Sequence, residues 1–85
     1  MLSENLSLGQ LVKASCGRYF FIVKIVDESF VLISDGKSRK LDKPKLKKIK
    51  HLKVEKYVNK EIKMLLQNGD KITDSYIRAE LNKLK

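Results

Sequence analysis

The spacing of the apolar residues changes near Tyr57, and this change constrains the fold of the 85-residue chain more than any other feature. Between Leu8 and Val54, β-branched and aromatic residues come in short runs that turn residues separate, a pattern typical of a small all-β unit. After Tyr57 the apolar residues recur at helical spacing. We therefore expect residues 1–56 to form one small β unit and residues 57–85 to form a two-helix extension.

Five short strands are predicted in the first part of the chain. The longest, over 19–26, has apolar residues on both faces, so it should lie centrally in a strongly curved sheet. Asp35-Gly36 indicates a hairpin, because a type I′ turn needs positive φ at both central positions. The other strands are predicted around Leu11-Val12 and over 30–34, 37–41 and 47–54, the last being irregular or at an edge. Five strands in about fifty residues indicate a small SH3-like barrel.

Two amphipathic helices are predicted to follow the barrel. Asn59 is a candidate N-cap of the first helix, Gly69 follows its end, and Thr73 is a candidate N-cap of the second. We expect this helical hairpin to pack on itself and on the barrel. A partner protein could cover its apolar stripes instead, and a DNA-reading helix-turn-helix is disfavoured because acidic residues offset the few basic ones in the second helix. The two apolar stripes consist of Val58, Ile62, Leu65 and Leu66, and of Tyr76, Ile77, Leu81 and Leu84.

Nearly all the net charge lies in residues 37–56. This segment carries ten basic and two acidic side chains, a net charge of +8 in a chain whose total is +9. So localised a charge predicts a positive surface that meets a polyanion, although a solvated face that only aids solubility is the simpler alternative. The chain has 16 lysines and three arginines. Lysine acts as a point charge on phosphate, so we expect recognition of backbone shape and not of base sequence.

The sequence contains little that suggests catalysis. Cys16 is the only cysteine and His51 the only histidine, and the two are far apart in sequence. We find no three-ligand metal set, no glycine-rich phosphate loop and no serine nucleophile motif. We therefore expect neither an enzyme nor a bound cofactor or metal. The sequence has no apolar run of about 20 residues and no secretory leader pattern, which predicts a cytoplasmic protein.

Several segments resemble a known motif. LGQLV at 8–12, GRYFFIV at 17–23 and VLISDG at 31–36, with Asp27-Glu28 before the last, resemble the KOW motif of RNA-binding and ribosomal proteins. The basic continuation over 37–52 is similar to that of the small bacterial KOW-domain RNA-binding proteins, which themselves resemble a large-subunit ribosomal protein of archaea and eukaryotes. The resemblance implies an SH3-like barrel that docks on structured RNA without a cofactor. The turn between the first two strands, residues 14–18, is shorter than is usual in the family. Arg18 is its only basic residue.

Charge and resemblance together predict an RNA-binding protein that is accessory to translation or the ribosome. Ribosomal RNA is the expected partner, with a neighbouring ribosomal protein as a further contact. The alternative is an adaptor that binds an acidic protein through the barrel edge or the helical hairpin. Charge alone leaves DNA and anionic membranes open, although we expect no membrane partner; the oligomeric state is not predicted.

The candidate RNA-binding residues combine the basic band with one ring. Tyr57, beside Lys56, is the candidate for stacking on an unpaired base, whereas Tyr19 and Tyr76 are predicted to lie in the core. The candidates are Arg18, Lys37, Arg39, Lys40, Lys43, Lys45, Lys47, Lys48, Lys50, His51, Lys53 and Tyr57.

Overall fold

The chain folds into one five-stranded antiparallel sheet followed by two helices. A computed structural model describes residues 6–84. The strands are β1 (Gln10–Lys13), β2 (Tyr19–Ile25), β3 (Phe30–Ser34), β4 (Lys45–Lys48) and β5 (Lys53–Val58), and the helices are α1 (Lys60–Asn68) and α2 (Asp74–Asn82). A 3₁₀ turn, Ile49–His51, connects β4 to β5. The predicted α+β class, β-rich with C-terminal helices, is confirmed.

The central strand β2 has a hydrophobic core on each of its faces. The strand order β4-β3-β2-β1-β5 places β2 in the middle, as its two apolar faces predicted. Phe20 and Ile22 belong to a first core on one face of the sheet. Phe21 points to the other face and packs against Ile62 of α1 and Ile77 of α2 in a second core. The helices therefore cover the sheet, and the expectation that the hairpin packs on the β unit is confirmed.

The sheet is not closed into a barrel, because β4 and β5 are its two edges. The 3₁₀ turn and the edge strand β5 nevertheless border the first core, in which Leu52 is buried and against which Ile49 and Val54 pack. The boundary predicted after residue 56 falls within β5, which continues to Val58. Since α1 and α2 share the second core with β1 and β2, the extension and the sheet have a common interior.

The strand predicted over 37–41 is wrong. The structure has a loop there, because side chains of Ser34 and Asp35 bond the local backbone. One carboxylate oxygen of Asp35 accepts from the amides of Lys37 and Arg39, at 2.9 Å each, and the hydroxyl of Ser34 donates to the Arg39 carbonyl at 2.7 Å. The amides of Asp35 and Gly36 also donate to that carbonyl. These bonds close residues 35–39 on themselves and delay the fourth strand until Lys45.

The single strand predicted over 47–54 is also wrong, since it contains the end of β4, the 3₁₀ turn and the start of β5. The amide of Ile49 donates to the carbonyl of Ser29 at 2.7 Å, and that of Leu52 donates to Ile49 at 2.9 Å. Ile49 and Leu52 lie three residues apart, so one turn of 3₁₀ helix directs both towards the first core. The non-alternating spacing in this segment reflects that turn. The last strand was predicted to be irregular or at an edge, and β5 does lie at an edge of the sheet.

The helix ends agree with the predicted caps. The Asn59 side chain accepts from the Ile62 amide at 3.0 Å, and that of Thr73 accepts from the Tyr76 amide at 3.2 Å. Gly69 ends α1 in the left-handed conformation with φ of 75°. Local sequence therefore determined where both helices begin and where α1 ends.

Candidate nucleic-acid interface

The basic segment divides into two surfaces, of which the first is a groove beside α2. Its walls are the turn between β1 and β2, the loop after β3 and the C-terminal part of α2, and its volume is about 840 Å³. Three of the predicted RNA-binding residues line it, namely Arg18, Lys37 and Lys40. Arg78 of α2 lines it as well. We call this surface the α2 groove.

Hydrogen bonds hold the two arginines of the α2 groove in place. The guanidinium of Arg18 donates to the hydroxyl of Ser38, which ties the β1–β2 turn to the loop after β3. Arg78 donates to the carbonyl of Gly36 at 2.6 Å and to the hydroxyl of Ser75 at 3.1 Å. Each arginine keeps further N–H donors for a ligand, because a guanidinium has five. The groove therefore has anchored cations on facing walls.

The second surface is the edge strand β4 with the 3₁₀ turn, which we call the β4 edge. Lys45 and Lys47 pair with Ile33 and Val31, so they lie on the face of the first core. Both are half-buried, as expected for lysines whose stems cover apolar surface while the ammonium groups reach water. Lys48 lies on the opposite face.

Lys48 and Lys50 lie side by side at the end of the β4 edge. The ammonium of Lys48 is 5.7 Å from the ring centroid of Phe30, its partner in β3. Lys48 and Lys50 also line a shallow cleft of about 600 Å³, together with Glu28 and Ser29 of the β2–β3 loop. The β4 edge thus carries cations on both faces of its strand.

Of the remaining predicted residues, His51 ends the 3₁₀ turn of the β4 edge, and the others lie outside both surfaces. Arg39 and Lys43 are exposed in the loop, and His51 is exposed at the end of the 3₁₀ turn. Lys53 begins β5 directly opposite Lys13, a like-charge pair that disfavours this register slightly. Tyr57 is 42% exposed near the end of β5.

Within residues 6–84, the cations of both surfaces have no carboxylate oxygen within 4.0 Å. Among residues 6–84, one ion pair lies within 4.0 Å, between Lys83 and Glu80 of α2 at 2.9 Å. Asp42 and Glu55, the acidic residues of the basic segment, make no such pair within the described part of the chain. In the described part of the chain, the cations of residues 37–56 are therefore not held in ion pairs.

Two acidic side chains of the helices, those of Glu61 and Glu80, connect α1 to α2. Buried Glu80 accepts from Asn59 at 2.7 Å and thereby joins the N-cap of α1 to α2. The bond from Lys83, supported by the bond from Asn59, lowers the pKa of Glu80 against the opposing effect of burial. Tyr76 donates to Glu61, and burial together with this bond raises the pKa of Tyr76 well above its usual range. These groups hold α1 against α2 and are not available to the basic surfaces.

The described residues contain no candidate metal site beside the two basic surfaces. Between Leu6 and Leu84, no group of three His, Cys, Asp or Glu side chains could hold a metal ion. Cys16 is exposed with a free thiol. No helix in that same range is long and apolar enough to cross a bilayer.

Two residues that line the α2 groove, Tyr19 and Arg78, were not among the predicted RNA-binding residues. Tyr19, predicted to be in the core, is 41% exposed, and Arg78 was assigned only to a helix. The exposure of Tyr19 could have been inferred from its position. It is the first strand residue after the Gly17-Arg18 turn, and a strand end has fewer neighbouring residues to bury it. Arg78 had no comparable signal, because the loop that it contacts is some forty residues away.

Comparison with known proteins adds no relative: no protein-family model matches the chain, and no curated protein is significantly similar to it.

Proposed function

We propose that this protein binds structured RNA through the β4 edge and the α2 groove. One observation carries the proposal: a net charge of +8 over residues 37–56 is displayed on folded surfaces without neutralising carboxylates. Such cations release condensed counterions when they meet phosphates, which is a large favourable contribution to nucleic-acid binding. Arg39, Lys43, His51 and Lys53 extend the same contact, and no cofactor takes part.

Recognition is expected to follow the shape of the RNA. Lysines outnumber arginines by 16 to three, and two of the arginines already bond Ser38 and Gly36. Bidentate reading of base edges favours free arginine, whereas an array of lysines suits a fixed array of phosphates. A folded RNA presents such an array, and ribosomal RNA is the most abundant candidate in the cytoplasm. An accessory role in translation, next to ribosomal proteins, is the proposed context.

An SH3-like fold of the KOW type is part of the proposal. Its support is the five-stranded antiparallel sheet, whose 3₁₀ turn and edge strand β5 border the first core, and the KOW-like segments between residues 8 and 52. Binding at a strand edge and its adjoining loops is common in small β-barrels that bind nucleic acids.

Matched charge reversals test the proposal. Lys48→Glu with Lys50→Glu should weaken binding to a folded ribosomal RNA fragment by more than about tenfold, because the reversed charges repel phosphates. Lys60→Glu with Lys71→Glu changes the net charge equally at two exposed positions on and after α1, and should weaken binding less than about threefold. Fluorescence anisotropy measures the affinities, and thermal melting checks that both variants are folded. Equal losses would show that net charge, and not the β4 edge, drives binding.

The adaptor alternative has one observation in its favour. Leu46 is 54% exposed on β4, and an edge strand with an exposed apolar residue can accept a strand from a partner. RNase treatment distinguishes the two functions. Material that co-purifies with an RNA binder disappears after RNase treatment, whereas the protein partner of an adaptor remains. Sedimentation with the large ribosomal subunit at low salt is the result expected of the RNA binder in a lysate.

A further inference from the structure

The α2 groove contains an aromatic ring where a basic surface alone would not need one. Tyr19 lines the groove at the start of β2 and is 41% exposed. The ammonium of Lys13 lies over its ring, 5.6 Å from the centroid. A tyrosine held in a strand, with a cation over its ring, is a rigid platform that loses little conformational entropy when a base stacks on it.

The surroundings of Tyr19 suit a nucleotide better than an apolar or zwitterionic ligand. Arg18, Lys37, Lys40 and Arg78 line the groove against one carboxylate, that of Asp35. An oxygen of this carboxylate already accepts two backbone amides of its own loop. The groove therefore has an excess of cations available to phosphate.

The size and the floor of the groove fit the same class of ligand. Leu81 of α2 and Leu84, just after the helix, provide apolar lining. A volume of about 840 Å³ lies within the range of roughly 300 to 1,000 Å³ that is usual for small-molecule sites. Because hydrogen bonds already fix Arg18 and Arg78, little ordering is needed on binding.

We propose that the α2 groove takes one unpaired nucleotide of the RNA, with its base stacked on Tyr19 and its phosphate facing Arg18, Lys37 and Lys40. The inference rests on the proposed RNA binding and deepens it. The β4 edge contacts paired backbone by charge, and the groove selects RNA in which a nucleotide leaves the helix. The protein would thus prefer a bulged helix to a continuous one.

Two RNA hairpins of identical stem, each closed by a non-nucleotide linker so that no loop base is unpaired, test this preference. One stem is fully paired, and the other carries a single bulged 2-aminopurine. We expect the wild-type protein to bind the bulged hairpin about tenfold more tightly, a difference typical of one stacked base, and to quench the 2-aminopurine fluorescence. Equal affinity for the two hairpins without quenching would overturn the inference.

Variants of Tyr19 localise the effect. Tyr19→Leu keeps an apolar side chain without a ring, so it should lose the preference and the quenching while its affinity for the paired hairpin stays within about twofold. Tyr19→Phe keeps the ring and should retain both. Tyr57→Leu tests the competing assignment, because Tyr57 is the stacking candidate of the sequence and has nearly the same exposure outside the groove. If Tyr19→Leu retains the preference, or if Tyr57→Leu abolishes it instead, the groove assignment is wrong.

Failure of this inference is distinguishable from failure of the proposed function. A wild-type protein that binds neither hairpin at about 50 mM salt overturns both. Comparable binding of both hairpins overturns only the nucleotide site. Melting temperatures of the two Tyr19 variants close to the wild-type value show that a loss of preference does not come from unfolding.

Discussion

At the scale of single residues, Gly36 is where the sheet, the basic loop and α2 meet. Its φ is +72°, a conformation that favours glycine. A β-carbon built there would lie 2.4 Å from the carbonyl oxygen of Asp74 and 3.1 Å from the β-carbon of Ile77. The Gly36 carbonyl also accepts the bond from Arg78. One glycine thus permits the close contact that forms one wall of the α2 groove.

We predict that Gly36→Ala destabilises the protein by about 3 kcal/mol, through left-handed strain together with steric overlap. Gly17→Ala is the matched control, because Gly17 has φ of +92° but nothing within 4 Å of an added β-carbon. It should cost about 1 kcal/mol, the strain alone. Urea denaturation measures both. Similar losses in the two variants would show that α2 does not press on the loop as described.

At the scale of elements, the helical hairpin supplies half of the cover of the sheet. Ile62 of α1 and Ile77 of α2 are fully buried against Leu11 and Phe21. A polar contact also joins the helical hairpin to the rest of the domain. The carboxylate of Asp74 accepts from the Leu41 amide at 2.7 Å, so α2 holds the loop before β4. The hairpin is therefore a structural part of the domain, and its helix α2 holds the loop between β3 and β4 in place.

Truncating either buried isoleucine should measure this role. Ile62→Ala and Ile77→Ala should each destabilise the protein by about 3 kcal/mol, because each leaves a cavity between helix and sheet. Met64→Ala, on the exposed side of α1 with 60% of its side chain accessible, should cost less than about 0.5 kcal/mol. Chemical denaturation provides the comparison. If removal of the isoleucines proved as mild as that of Met64, the second core would not be a stabilising interface.

At the scale of the whole molecule, charge is segregated. The described carboxylates of the helices make internal contacts, such as those of Glu61 and Glu80, while the cations of residues 37–56 face solvent. A surface of this kind attracts a polyanion over a distance comparable with the Debye length, about 8 Å at physiological salt. Binding that depends on this segregation must respond to ionic strength.

We predict a strong salt dependence of RNA binding. If about four to six lysines reach phosphates together, a plot of log affinity against log salt concentration should have a slope of about −4. Titrations of one folded RNA at several ionic strengths give the slope directly. Lys48→Glu with Lys50→Glu should make it shallower, whereas the reversals at Lys60 and Lys71 should leave it unchanged. A slope near zero for the wild type would contradict the electrostatic account.

The sequence by itself determined the features that arise within a few residues. The caps at Asn59, Gly69 and Thr73 depend on local hydrogen bonds and backbone preference, so the sequence alone predicts them. The two-faced central strand and the charge of residues 37–56 were equally visible as pattern and composition.

Tertiary structure decided the features that depend on distant contacts. The segment 37–41 became a loop because Asp35 bonds its neighbours and because Asp74 and Arg78 hold the loop from α2. The α2 groove depends on the same docking, because α2 and the loop after β3, about forty positions apart, both line it. A sequence pattern records which residues are apolar or charged. It does not record which distant side chains and backbone groups bond each other, and those bonds place α2 beside the loop to form the groove.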